Sequence, residues 1–498
     1  MPTSHGGFTR RSFLKRAGAV SLGTIAARGI YDLLDEIAGT PTRAAAAGAT
    51  VRRRQEQYLV DSVEVILDNG VTCAIPPVHN DVITAKLATG RSWTVSALKN
   101  AQTRLENALA TVEKPYPSTA AGLTMVIGWG LPFFRTYLPT ALQSKLPVDK
   151  ALSAQTGTTQ YAVLDAIRFP SDPADVLLED NHVMFKIRSD SSDILRNVEG
   201  ALFDNPNSGA YIGDLFDLTS KRIGFLGRGF NATNMSVGKQ LALAAEPPVP
   251  GADKIPDRAQ LMLGFTSTQT GALGPDNIPS FETLPGVTDQ FPSGYFAAGC
   301  AMHLSHLFED LELWYSSDYA SRVGKMFSQY ATVPPDPSTV TLPNGPGEVV
   351  TKTQLLAEAS THRVGHNSPL QQATRLGADV VDNYGRLRKK GTAVPLREDF
   401  NTIDNPFAWT SDPARDGLGD SAAAGLHFVA FVPASSKFHA ARLAMDGRLP
   451  DHTDLSQAPY SVTNDNTGIN AAIKATHRQN YLIPPRAHRS FPLVELMK

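Results

Sequence analysis

Gly425-Leu426-His427-Phe428-Val429-Ala430-Phe431-Val432, with Ser435-Ser436 close behind and then Phe438, Ala441, Leu443 and Met445, reads as a buried strand running through a serine pair into a helix. The same pattern occurs earlier in the chain. Val183, Phe185 and Ile187 alternate with His182, Met184, Lys186 and Arg188; Asp190 or Ser191 can cap a following helix, on which Ile194, Leu195, Val198, Ala201 and Leu202 form one apolar stripe. Two such units in one chain predict a repeated α+β architecture.

Neighbouring segments fill out both halves. Leu98, Ala101, Leu105, Ala108, Leu109 and Val112 recur at helical spacing over 96–113, and Pro115 and Pro117 end that helix. Residues 122–130 and 294–304 read as strands, the latter followed by a helix near 308–315. The proline-rich stretch 246–251 divides an amino-terminal half, 48–245, from a carboxy-terminal half, 246–498. Residues 333–348 read as a loop, and 380–417 as a long irregular segment.

Thr9-Arg10-Arg11-Ser12-Phe13-Leu14-Lys15 precedes a short apolar run over 17–27 and the small residues Ala44-Ala45-Ala46-Ala47. Residues 1–47 therefore resemble a twin-arginine export signal. As a helix the apolar run reaches about 16 Å, against roughly 30 Å of bilayer hydrocarbon, so it is too short for a stable span. The expected partner during export is the twin-arginine translocase, and the expected destination is the periplasm, cell wall or medium. That route carries folded proteins, so a cofactor can be loaded before export.

The 498 residues are 42% apolar, with 46 Lys and Arg against 48 Asp and Glu. Without residues 1–47 the balance is 40 basic to 45 acidic side chains, which excludes the electrostatic footprint of a nucleic-acid binder. Cys73 and Cys300 are too few for a disulfide framework or a thiolate cluster, leaving one disulfide or two separate thiols. A homo-oligomer is compatible with this composition.

The order of segments 122–134, 177–203, 261–270, 294–315, 361–369 and 425–496, with Gly425-Leu-His-Phe and the terminal Arg478-Gln-Asn-Tyr-Leu-Ile-Pro-Pro485 as the firmest pieces, resembles the dye-decolourising peroxidases. The resemblance implies two ferredoxin-like halves packed into an α+β barrel, with one haem b in the carboxy-terminal half. It also implies hydrogen peroxide and a phenolic or other electron-rich small molecule as substrates. Within Thr361-His362-Arg363-Val364-Gly365-His366-Asn367-Ser368-Pro369 it nominates His362 as the iron ligand, with His366 as the alternative. A neutral imidazole is the chemistry such a ligand needs.

The same resemblance places the peroxide side near Leu263-Gly264-Phe265-Thr266-Ser267-Thr268. Phe265 matches as a haem-contacting residue, while Ser267 stands where the family carries an acid-base aspartate, and a hydroxyl shuttles protons poorly. Asp276 or Glu282 are the substitutes in reach along the chain. The family's distal arginine falls on valine in Ala378-Asp379-Val380-Val381-Asp382-Asn383-Tyr384-Gly385, where Asn383 matches and Arg375 or Arg386 could reach the pocket. The altered pocket keeps two alternatives open: a haem enzyme with a different oxidation, and a non-catalytic exported barrel that binds haem or has lost it. His303 and His306 have a spacing that permits metal binding, but no nearby carboxylate pattern completes a site.

Overall fold

The computed structural model describes residues 53–61, 63–226, 236–266, 278–342, 350–403 and 422–498. The export-like segment and Ser267 lie outside the described residues. The first half runs β1 (His79–Leu87), α1 (Val95–Glu113), β2 (Thr124–Trp129), β3 (Val183–Ser189), α2 (Ser192–Glu199) and β4 (Phe216–Phe225). The second runs β5 (Cys300–Glu309), α3 (Leu311–Ser316), α4 (Tyr319–Met326), α5 (Lys352–Ala359), α6 (Asn367–Thr374), β6 (Leu396–Arg397), β7 (Phe400–Thr402), β8 (Gly425–Val432), α7 (Ser435–Met445) and β9 (Ile473–Ile483).

Strand pairing makes each half ferredoxin-like. In the first, β1 lies between β4 and β3, and β3 pairs with β2, all antiparallel. In the second, β5 lies between β9 and β8, and β8 pairs with β6 and β7. One bridge, Leu482 to Trp129, joins β9 to β2, and another, Asn401 to Phe225, joins β7 to β4. The two sheets therefore close into one α+β barrel, and closure leaves no free edge between the halves.

Side chains alternate across a strand, so the barrel has an inside and an outside. Val82, Val126, Met184, Met302, Val429, Phe431 and Tyr481 form the inner apolar cluster. Ile83, Ile127, Phe185, Leu105, Leu109 and Phe438 belong to the larger cluster between the sheets and the helices outside. Glu398, between β6 and β7, takes Lys186 at 2.8 Å and Arg188 from β3. Burial alone would raise Glu398, but the two cations overturn that and hold it below the usual carboxylate range.

Two segments depart from the sequence reading. Residues 380–402 are not one irregular loop, because β6 and β7 lie within them and supply the second strand position of the carboxy-terminal half. The strand expected to end at Leu304 continues to Glu309, and the helix starts only after the Asp310 cap, whose carboxylate accepts the Leu313 N–H at 2.9 Å. Cys73 and Cys300 are separate buried thiols. No helix among the described residues is long and apolar enough to cross a membrane.

Candidate functional site

A cavity of about 200 Å³ lies between the outer face of the carboxy-terminal sheet and helices α6 and α7. A single water needs roughly 10–15 Å³ by the same measure, so this space suits a ligand. Its floor follows from strand parity: Ser305, Leu307 and Glu309 on β5, and Leu426, Phe428, Ala430 and Val432 on β8. A bulge at Thr476 resets the parity of β9, so Ile473 and Ala475 face the cavity together with Arg478. Leu370 and Thr374 come from α6, and Phe438, Ala441, Arg442 and Met445 from α7.

One wall is the segment 261–266, which contributes Leu261, Leu263, Phe265 and Thr266. Its backbone is held by side chains from elsewhere. Trp314 Nε1 donates to the Leu263 carbonyl at 2.8 Å, Tyr315 Oη donates to the Met262 carbonyl at 2.8 Å, and Asn401 Oδ1 accepts the Met262 N–H at 3.2 Å. Phe265, edge-on to Phe327 at 5.1 Å, lines the cavity.

His366 enters the cavity at the start of α6. Its backbone N–H donates to Lys325 O at 2.7 Å, and a Cβ on Gly468 would come within 2.6 Å of its Cα. The turn passing His366 therefore requires glycine at 468, where φ is +56°. Burial, assisted by the charges of Arg397 and Arg442, pushes the imidazole down to about 3, so it is neutral across the physiological range.

His362 does not line the cavity. Its φ of +61° turns an exposed ring outward to the carbonyl of Tyr460. The correction is geometric, because a left-handed residue at the end of α5 reverses the chain just before His366 faces inward.

Arg397 and Asp399 also line the cavity. They are two residues apart on the β6–β7 edge, so they share its outer face while Glu398 between them points into the barrel. Val429 N–H donates to Asp399 Oδ1 at 3.0 Å, and Arg397 Nη1 stands 4.0 Å from Oδ2. Burial raises the Asp399 carboxyl, partly opposed by Arg397. At the far rim Arg478 meets Asp172 at 2.6 Å, and Arg442 contacts both Asp172 at 3.3 Å and Asp446 at 2.7 Å. Among the described residues, the buried Arg478 Nε has no hydrogen-bond partner.

The remaining sequence candidates lie elsewhere. Arg375 is tied to Gly391 O at 2.6 Å; it is close enough to feel Arg397 but does not line the cavity. Asn383 donates to Glu282 O at 2.6 Å, and Arg386 is exposed on the same turn. Glu282 accepts the Ala298 N–H at 2.7 Å and also stands outside the cavity. Asp276 lies outside the described residues. His303 and His306 sit within β5, and no group of three metal-ligating side chains capable of holding an ion occurs among the described residues. Arg397, Asp399 and Glu309 were missed; three successive charged residues, Arg397-Glu398-Asp399, gave no apolar alternation to mark the first two as part of a strand.

No curated protein matches this chain. Among solved structures, it is similar to a DyP-type peroxidase from Cellulomonas bogoriensis, at 13% identity and a TM-score of 0.49 over 87% of this chain and 96% of that one. It is also similar to the encapsulated DyP-type peroxidase from Mycobacterium smegmatis, at 12% identity and a TM-score of 0.46 over 84% and 96%. A dye-decolorizing peroxidase from Bacteroides thetaiotaomicron overlaps at 10% identity and a TM-score of 0.46 over 86% and 98%. Residues 77–485, which hold β1 to β9 and the residues lining the cavity, match one family model, and the chain belongs to that family of unknown function (DUF7405).

Proposed function

We propose that this chain is an exported haem-binding oxidoreductase that uses hydrogen peroxide to oxidise phenols or other electron-rich small molecules, with His366 as the iron ligand. What carries the reading is one juxtaposition: a neutral histidine, an arginine and a buried carboxyl line one largely apolar cavity. The residues fit haem. His366 offers an uncharged nitrogen donor, the walls are mostly aliphatic and aromatic, and Arg478, whose Nε has no hydrogen-bond partner among the described residues, could hold a carboxylate of the macrocycle. The export part of the reading rests on Arg10-Arg11 and the apolar run after them.

When bound, haem would supply the iron that activates the peroxide O–O bond. The chain's own contribution is to exclude water and to manage charge and protons. Asp399, raised by burial, is suited to accept a proton from a peroxide oxygen and return it to the other, a task for which a serine hydroxyl is poorly suited. Arg397 places a fixed positive charge where negative charge develops. Phe265, Phe327 and Leu370 keep the surroundings dry, which strengthens both effects.

The test is peroxide-dependent oxidation of a phenol by haem-loaded full-length protein. Asp399→Asn is expected to lower kcat by roughly 100-fold to 10,000-fold while haem content stays unchanged. Wild-type protein that carries haem but leaves phenol unoxidised would instead mark a haem-binding protein without this activity.

A further inference from the structure

Glu309 ends β5 on the cavity face, two residues beyond Leu307. It is 1% exposed, and neither carboxyl oxygen has a hydrogen-bond partner among the described residues. Its backbone is fixed: the N–H donates to Ala424 O at 3.0 Å, Ile473 faces it on β9, and the Asp310 N–H donates to Ala472 O at 2.8 Å. The strand pairing therefore keeps the Glu309 Cβ on the cavity face.

The cavity's cations do not neutralise it. Arg442 and Arg478 are engaged by Asp172 and Asp446, and Arg397 stands beside Asp399. The register sets Arg397 level with Ala430 and His303, six residues along β5 from Glu309, or roughly 20 Å. His366 is neutral, and Tyr315 on α3 is the ionisable neighbour whose titration feels Glu309. Buried polar groups are ordinarily paired, so a fully buried carboxyl with both oxygens unpaired and facing a cavity marks a group completed by a ligand.

We propose that Glu309 recognises an organic cation, a protonated amine with an apolar body. The ammonium pairs with the carboxylate, and the hydrocarbon packs against Leu307, Leu426, Ile473 and Met445. Burial alone raises the free carboxyl to about 8, so at neutral pH it enters the encounter protonated. Binding then releases that proton to solvent and leaves a carboxylate paired with the ammonium. This inference does not rest on the haem reading; it places the amine at the Glu309 end of the same cavity, roughly 20 Å along β5 from the level of Arg397.

The test is calorimetric titration of the full-length chain at pH 7 with n-hexylammonium and with 1-hexanol, in two buffers of different ionisation enthalpy. Haem content is read by absorbance in the same samples, so the two readings fail separately. The amine is expected to bind roughly tenfold or more tightly than the alcohol and to release close to one proton. Glu309→Gln should weaken the amine by a similar factor, leave the alcohol unchanged and abolish the proton release. Equal binding of amine and alcohol, amine binding without proton release, an unaffected Glu309→Gln variant, or no amine binding at all would overturn the proposal.

Discussion

Glu398→Ala is expected to destabilise the chain by about 3–5 kcal/mol, because it strands two buried cations at once. The Lys186 and Arg188 side chains are each 1% exposed inside the barrel, and Glu398 is the carboxylate both contact. Burial already depresses Lys186 to about 8 with its partner in place. Acid should act in the same direction: a carboxylate held below its ordinary range contributes stability above the unfolded-state pKa, and that contribution disappears as pH falls through the folded value. Urea denaturation checks the prediction through the midpoint at constant slope. Replacing all three charged residues with leucine or methionine should recover much of the loss, since apolar side chains require no solvation. A loss below about 1 kcal/mol for Glu398→Ala would mean that water reaches the barrel interior and solvates the pair.

The second large effect concerns Glu309 and has the opposite sign. Its folded value of about 8 exceeds the ordinary 4.5. Between those values the folded chain retains a proton that the unfolded chain releases, so stability falls as pH rises through this window and is unaffected below it. At about 1.4 kcal/mol per unit, the loss accumulates to roughly 5 kcal/mol near pH 8. Glu309→Gln cannot ionise. The ligand-free variant should match wild type near pH 4 and exceed it in stability at pH 8, measured as the difference between two thermal or urea profiles. Parallel profiles across the whole range would show that water or a counter-ion already reaches the carboxyl.

Much of the barrel was legible because its long strands keep one apolar face. Val183, Phe185 and Ile187, and the run from Gly425 to Val432, announce buried strands, and the stripe from Leu98 to Val112 announces α1. The second strand position of the carboxy-terminal half was illegible for a physical reason. β6 and β7 have two and three residues, and the stretch 397–399 across their junction is charged on both faces: Glu398 inward to an ion pair, Arg397 and Asp399 outward to the cavity. Apolar alternation vanishes where both faces are polar.

The site was legible in part for similar reasons. Phe265 lies in a segment whose glycine and aromatic are local features, and it lines the cavity. His362 and His366 are four residues apart, and spacing alone does not choose between them; the left-handed backbone at His362 does. Glu309 escaped notice because a helix was expected from about 308, whereas pairing with β9 extends the strand and turns this side chain into the cavity.

Haem bound in the cavity through His366, as proposed, should be visible in the absorption spectrum of the purified full-length chain expressed with haem supplied. Wild type and His362→Ala should both show an intense Soret band of equal position and height, and His366→Ala should lose or shift it. A wild-type chain that folds but shows no Soret band, or a His366→Ala variant whose spectrum matches wild type, would rule out haem ligation by His366.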